Sequence, residues 1–454
     1  MGYSSKRGRK PIERASKITH AEIIANPEVK AFLDTCAVRK KPDQKEVGQL
    51  ATVLTKPEKR HIDAIIAIDG GFTETTVQSE YPSAAICFFT FGPLFFKLED
   101  LAKLDAQTFI QPEDMAALKN IQRCPPLVIP TKNVQVTGTG SLSQSIRQTI
   151  HKYFIRPQGD NEPALVDAFR WLIFCMWEPG SPTDWTIPNC PNKPCSATDI
   201  GLTSKSPNEF PCPKCSKPIY ITDALRLDER IDEEQGAGGI ISYLLGSLEQ
   251  LVLVQLIKTI YEMKKDLLRQ VLFIKDGPLA FFGQTAPLTK PMRKLVAFLL
   301  DQTPLIKVRE KGSLLNLVGL EKSGTFVEHA VQIEAALPAN SVLIPTNDYI
   351  YKYVIPGDPA GNRYGYNTYY GTKCIFRSHD GNTYVPTIPP DSHDSDRTAA
   401  DIPNLNEILS IVSALKCNMY ENALIPVALA NKLVSLSDFP SSRILQLFAK
   451  RSLA

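Results

Sequence analysis

The chain has 454 residues, of which 43% are hydrophobic and 22% charged, and a formal net charge of +3. This composition excludes disordered and fibrous classes, and no uninterrupted apolar run reaches the ~18 residues of a membrane span. The charge is too small to argue nucleic-acid binding by itself, and the length predicts two or three structural units in a soluble protein.

Residues 1–58 read as a basic, loose or helical extension, with Lys6, Arg7, Arg9, Lys10, Arg14 and Lys17 in one cluster and Arg39 to Arg60 holding a second. Such an arm can contact phosphates or simply lie solvated. It has no apolar stretch behind it and does not read as a secretory signal. A strand is predicted over about 62–69, and one or two more over Ser83–Lys97. Helical patterns follow at 100–122 and 141–177. Residues 59–180 are taken as the first part of a core.

The composition then turns to Pro, Cys, Asn and Lys, which marks an insertion at 181–222. The second part of the core, 223–454, opens with a long helix over about 239–269 and a strand at 271–276. Another strand at 313–321, β-like segments over 341–390 and helices near Asn404–Leu415 and Ser441–Ala449 complete it. This order predicts an α/β fold, a mixed sheet flanked by helices.

Two apolar runs end in an acid followed by glycine: Ile65-Ile66-Ala67-Ile68-Asp69-Gly70 and Val271-Leu272-Phe273-Ile274-Lys275-Asp276-Gly277. Burial disfavours an ionised carboxylate, so two such acids point to a shared cation. A divalent Mg²⁺ or Mn²⁺ held by carboxylates suits phosphodiester hydrolysis. The long helix offers two further acids. Glu249 lies on the stripe of Leu245, Val252, Leu253 and Leu256, whereas Glu262 keeps company with Lys258, Thr259, Lys265 and Asp266. Glu249 is therefore the expected third ligand, although an acid snorkelling from the stripe's edge fits the same pattern. Lys322, at the end of the strand Leu314–Glu321, either offsets phosphate charge or caps the strand in solvent.

Cys190-x4-Cys195 and Cys212-x2-Cys215, sixteen residues apart and flanked by prolines, offer four thiolates to one Zn²⁺. Four cysteines leave no open position, so the expected zinc is structural. The other six cysteines are scattered, which favours a reducing cytoplasm. His393 with Asp391, Asp394 and Asp396 reads as a solvated acidic loop rather than a metal site.

In this order, "IAIDGG" at Asp69, the helix bearing Glu249, "FIKDGPL" at Asp276, "LVGLEK" at Lys322 and "ALIPVALAN" at 423–431 resemble the NurA nuclease family. The resemblance spans roughly residues 60–440. It implies an RNase H-like core and Mn²⁺- or Mg²⁺-dependent degradation of DNA, by 5′ to 3′ exonuclease and single-strand endonuclease activity. It also implies a homodimer, and partnership with the hexameric ATPase HerA in DNA end processing or anti-phage defence. On it, Asp69, Glu249 and Asp276 hold the catalytic metal and Lys322 assists. Two features depart from the family. Asn431 stands where an Asp or His is expected, with Tyr420 the upstream aromatic, and the four-cysteine zinc ribbon is an addition. The competing readings are a non-catalytic DNA-binding clamp and a scaffold for an ATPase.

Overall fold

In a computed structural model, residues 19–36, 41–57, 60–99, 124–157, 163–178, 180, 182–301, 313–361, 363–391, 396–416, 424–436 and 441–453 are described. The chain forms two compact units, Met1–Lys41 and Pro42–Ala454. Helices α1 (Thr19–Ala25) and α2 (Pro27–Thr35) belong to the first; Asn26 caps α2 by accepting from the backbone NH groups of Glu28 and Val29. The predicted helix at 100–122 and Tyr420, His393 and Asp394 lie outside the described residues.

The second unit opens with α3 (Gln44–Leu50) and β1 (Ala51–Val53), then a hairpin of two long strands, β2 (Ala64–Gln78) and β3 (Ala84–Lys97), followed by β4 (Leu127–Lys132). Helices α4 (Leu142–Ile155) and α5 (Leu165–Ile173) stand where one long helical region was expected. Two small hairpins follow, β5 (Trp185–Asn189) with β6 (Thr198–Leu202), and β7 (Glu209–Pro211) with β8 (Pro218–Tyr220). The long helix α6 (Ile241–Lys264) leads to β9 (Val271–Asp276), α7 (Thr289–Leu300), β10 (Asn316–Glu321) and α8 (Thr325–Ile333). Strands β11 (Ser341–Leu343), β12 (Thr372–Lys373), β13 (Ile375–Arg377) and β14 (Thr383–Ile388) precede α9 (Leu405–Ala414), α10 (Ile425–Val434) and α11 (Ser441–Leu453).

Ten strands form one mixed sheet in the order β1-β11-β13-β14-β10-β9-β2-β3-β4, with β12 paired to β14. The pairs β2/β9 and β9/β10 are parallel and the others antiparallel. Parallel strands covered on both faces read as unbroken apolar runs, as β2 and β9 do. Side-chain alternation sends Ile66, Ile68, Phe273 and Leu317 to the face packed by Leu244, Leu248 and Leu251 of α6. Ile65, Ala67, Leu272, Ile274, Val318 and Leu320 go to the other face, under Ile408 and Val412 of α9 and Val427 of α10.

Two expectations change here. The N-terminal extension ends earlier than residue 58: β1 pairs with β11 from Ala51↔Leu343 to Val53↔Ser341, and residues from Pro42 onward join the sheet unit. The cysteine insertion is part of that unit as well, because Ile187, Ile200, Leu202 and Ile219 pack into the core cluster beneath α6. Gly238–Gln270 is long enough and on average apolar enough to cross a bilayer, though Glu249, Gln250 and Lys258 interrupt its apolar run. Its most apolar window is 67% buried inside the fold, where it serves as a core helix.

Candidate functional site

Asp69 does not end its strand. β2 runs on to Gln78 as the partner of β3, while its parallel pairing with β9 stops at Ile68↔Lys275. Asp69 and Asp276 are the next residues on these two neighbouring strands. By alternation both belong to the face covered by α9 and α10, as does Lys322, two residues beyond Leu320. Lys322 Nζ lies 2.9 Å from Asp276 Oδ2. Gly277, at φ 81°, turns the chain away directly after Asp276, a backbone state that favours glycine.

Glu249 reaches the site from the opposite face. It is buried on α6, as its place on the apolar stripe predicts, while Glu262 is exposed and pairs with Lys258. The gap that admits it is Gly70. A Cβ there would stand 2.9 Å from Glu249 Oε1, 2.7 Å from Leu245 Cδ1 and 3.0 Å from Phe91 Cβ. Glycine lets the carboxylate lie against the β2 backbone next to Asp69. Glu249 Oε2 is held 2.7 Å from Lys275 Nζ, a contact between two buried side chains. Lys275 and Gly70 were not singled out from the sequence. The available signal was a lysine inside a buried apolar run, one position out of phase with the acid.

The electrostatics follow from burial. Asp69 is 2% exposed; its Oδ1 accepts from Gly70 NH at 2.8 Å, and its Oδ2 has no hydrogen-bond partner. Desolvation first, then the negative charges of Asp276 and Glu249, push its carboxyl up to about 8, with Lys322 opposing. Burial likewise raises Glu249, with Lys275 opposing. An orphaned buried carboxylate oxygen beside two more acids fits a divalent cation. The set is not tightly closed, however. Among the described residues, the cysteines alone bring three or more ligand atoms within 4.8 Å of one another.

Asn431 is exposed on α10. One turn further on, the Val434 carbonyl accepts from Thr90 Oγ1 and would lie 2.9 Å from a Cβ at Gly71. The end of α10 therefore abuts the β2–β3 hairpin close to Asp69. Asp396, from the acidic loop, pairs with Arg363, and Asp391 lines a cavity beside α7.

The cysteines come together completely. Cys190 and Cys195 sit at the tip of the β5–β6 hairpin, and Cys212 and Cys215 at that of β7–β8. Their four Sγ atoms lie within 4.8 Å of one another, with Cys190–Cys215 at 4.0 Å and Cys195–Cys212 at 3.8 Å. A tetrahedral Zn²⁺ with ~2.3 Å bonds separates its sulfurs by about 3.8 Å, so the thiols fit such an ion. Burial pushes Cys190 up to about 12. Burial acts the same way on Cys212, but hydrogen bonds from the NH groups of Cys215 and Lys214 and from the Cys190 and Cys215 thiols together bring that thiol down to about 6. Arg147 of α4 anchors the ribbon: it grips Asp223 through two bonds of 2.8 and 2.7 Å, Asn192 Oδ1 at 2.9 Å and the Pro218 carbonyl at 3.0 Å.

No protein-family model and no curated protein matches the sequence. Among solved structures, the chain is similar to the crystal structure of the NurA nuclease from Sulfolobus solfataricus. The likeness covers 96% of this chain and 94% of that one, at 10% identity and a TM-score of 0.33. At that identity and score it says nothing about site residues.

Proposed function

We propose that this protein is a metal-dependent DNA nuclease with an RNase H-like core. One observation carries the reading: Asp69 and Asp276 stand side by side where the central parallel pair ends, and Asp69 Oδ2 is buried without a partner. Asp69, Asp276 and Glu249 would hold Mn²⁺ or Mg²⁺, which supplies charge stabilisation at the phosphate and a water of lowered pKa. The chain's own groups do the rest. Lys275 opposes the burial that raises Glu249 and aims its carboxylate through the Gly70 gap. Lys322, partly exposed beside Asp276, presents its ammonium to the phosphodiester. The four cysteines hold a structural Zn²⁺.

The resemblance in motif order extends the proposal to a homodimer, a HerA-like hexameric ATPase partner and a cytoplasmic role in end processing or anti-phage defence. A second reading, a non-catalytic DNA clamp or scaffold, draws on the two lysines that already neutralise Glu249 and Asp276. It leaves Asp69 Oδ2 unanswered. Cleavage of labelled single- and double-stranded DNA in Mn²⁺, Mg²⁺ or EDTA separates the two. Wild type should cut in either metal and not in EDTA, and Asp69→Asn and Asp276→Asn should be inert. Metal-independent behaviour, or variants as active as wild type, would remove the proposed site.

A further inference from the structure

Helix α7 buries Met292, Leu295, Val296 and Leu299 and turns Lys290, Arg293, Lys294 and Ala297 the other way. That second side borders two open cavities of about 980 and 410 Å³, which share Pro287, Lys290 and Lys294 in their walls. They therefore form one groove. It runs from Trp185, on the first strand of the cysteine ribbon, along α7 to Tyr366. Tyr366 is 51% exposed, and the Arg293 guanidinium lies 5.0 Å from its ring centre. Trp185 is half-buried.

Charge gives the groove a sign. Its walls carry Lys290, Arg293, Lys294 and Arg226 against Asp184 and Asp391. Arg226 is taken up by Glu229, and Arg293 donates to the Tyr369 carbonyl at 2.9 Å. Lys290 and Lys294 are exposed and form no ion pair among the described residues. The groove's rim also touches α6, the helix that carries Glu249. At its rim, a Cβ on Gly283 would lie 2.7 Å from Tyr243 of α6, and six residues further along that helix is Glu249. At the α-helical rise, those six residues cover about 9 Å.

We propose that this groove binds single-stranded DNA, with Lys290 and Lys294 on the phosphates and Trp185 and Tyr366 offering faces to bases. An aromatic at each end of the groove, with two exposed lysines between them that form no ion pair among the described residues, suits unstacked bases, which a duplex does not present. The inference rests on the nuclease reading for its choice of DNA. It also gives the ribbon a task, as one wall of the track.

The test is equilibrium binding of fluorescein-labelled oligothymidine to the full chain in EDTA, where nothing is cut. Lys290→Glu with Lys294→Glu should weaken binding at least about tenfold and flatten the salt dependence by roughly 1.4 in log–log slope, two phosphate contacts' worth. Tyr366→Ala should weaken it with the salt slope unchanged. Lys290→Gln with Lys294→Gln, expected to lose affinity less steeply, replaces the first pair if melting shows that pair misfolded. Lysine variants that bind as wild type overturn the proposal. So does equal or tighter binding of duplex DNA or oligouridine by wild type, with the same losses in the variants. Absence of cleavage in any metal would count against the nuclease reading and leave the binding result standing.

Discussion

Lys275 Nζ and Glu249 Oε2, 2.7 Å apart and both almost fully buried, tie the central strand β9 to the helix that covers it. The pair holds a negative charge against β2 where Gly70 opens the way to Asp69. The acids are thus fixed by the sheet's own packing, from both of its faces.

Breaking that pair from one side leaves an uncompensated buried charge. Lys275→Met should cost on the order of 3–5 kcal/mol in urea unfolding. Lys275→Met with Glu249→Gln should recover most of the loss. A double-mutant cycle with additive losses would show that the two side chains do not act together.

Gly70→Ala puts a methyl where Glu249 and Leu245 now lie. It should destabilise by about 1–3 kcal/mol from overpacking and lower metal-dependent cleavage as Glu249 is displaced. Wild-type stability and activity in this variant would mean that Glu249 does not need the gap.

Burial, with the charges of Asp276 and Glu249, pushes the Asp69 carboxyl up to about 8, so the folded state binds this proton more tightly than the unfolded chain. Stability is therefore lost as pH rises from about 4 through about 8, and the penalty is fully present above that. In EDTA, Asp69→Asn should gain thermal stability over wild type as pH goes from about 5 to about 9. Mn²⁺ should stabilise wild type more at the higher pH, where no proton competes. A pH-independent difference between wild type and variant would show that Asp69 is ionised throughout.

Elemental analysis should find zinc in the purified protein, with Cys212→Ser or strong chelation removing it. Because Ile187, Ile200 and Ile219 join the core beneath α6, zinc loss should also lower the melting temperature of the whole unit. Full zinc content in the serine variant would exclude the four-cysteine site.

Arg147→Ala should loosen the ribbon without touching a thiol. The substitution strands the buried Asp223 carboxylate, so a loss of about 3–5 kcal/mol is expected, with zinc retained. Limited proteolysis within residues 182–222 would report it, and an unchanged cleavage pattern would show that other contacts suffice.

Much of this was legible along the chain. Apolar runs marked the buried parts of β2 and β9, the 3.6-residue stripe separated buried Glu249 from exposed Glu262, and cysteine spacing marked the two hairpin tips that bring four thiols together. These signals are local: each needs only a period or a spacing. Strand pairing is not local. That β2 passes Asp69 as a hairpin arm while its parallel ladder stops one residue earlier depends on β3 and β9 together. The faces of Asp276 and Lys275, the gap at Gly70 and the groove along α7 likewise arise only when distant segments meet. Residue order alone was enough to mark side chains chemically unusual for their surroundings. Which of them became neighbours was settled by packing, because burial and proximity belong to the assembled sheet and not to any one segment.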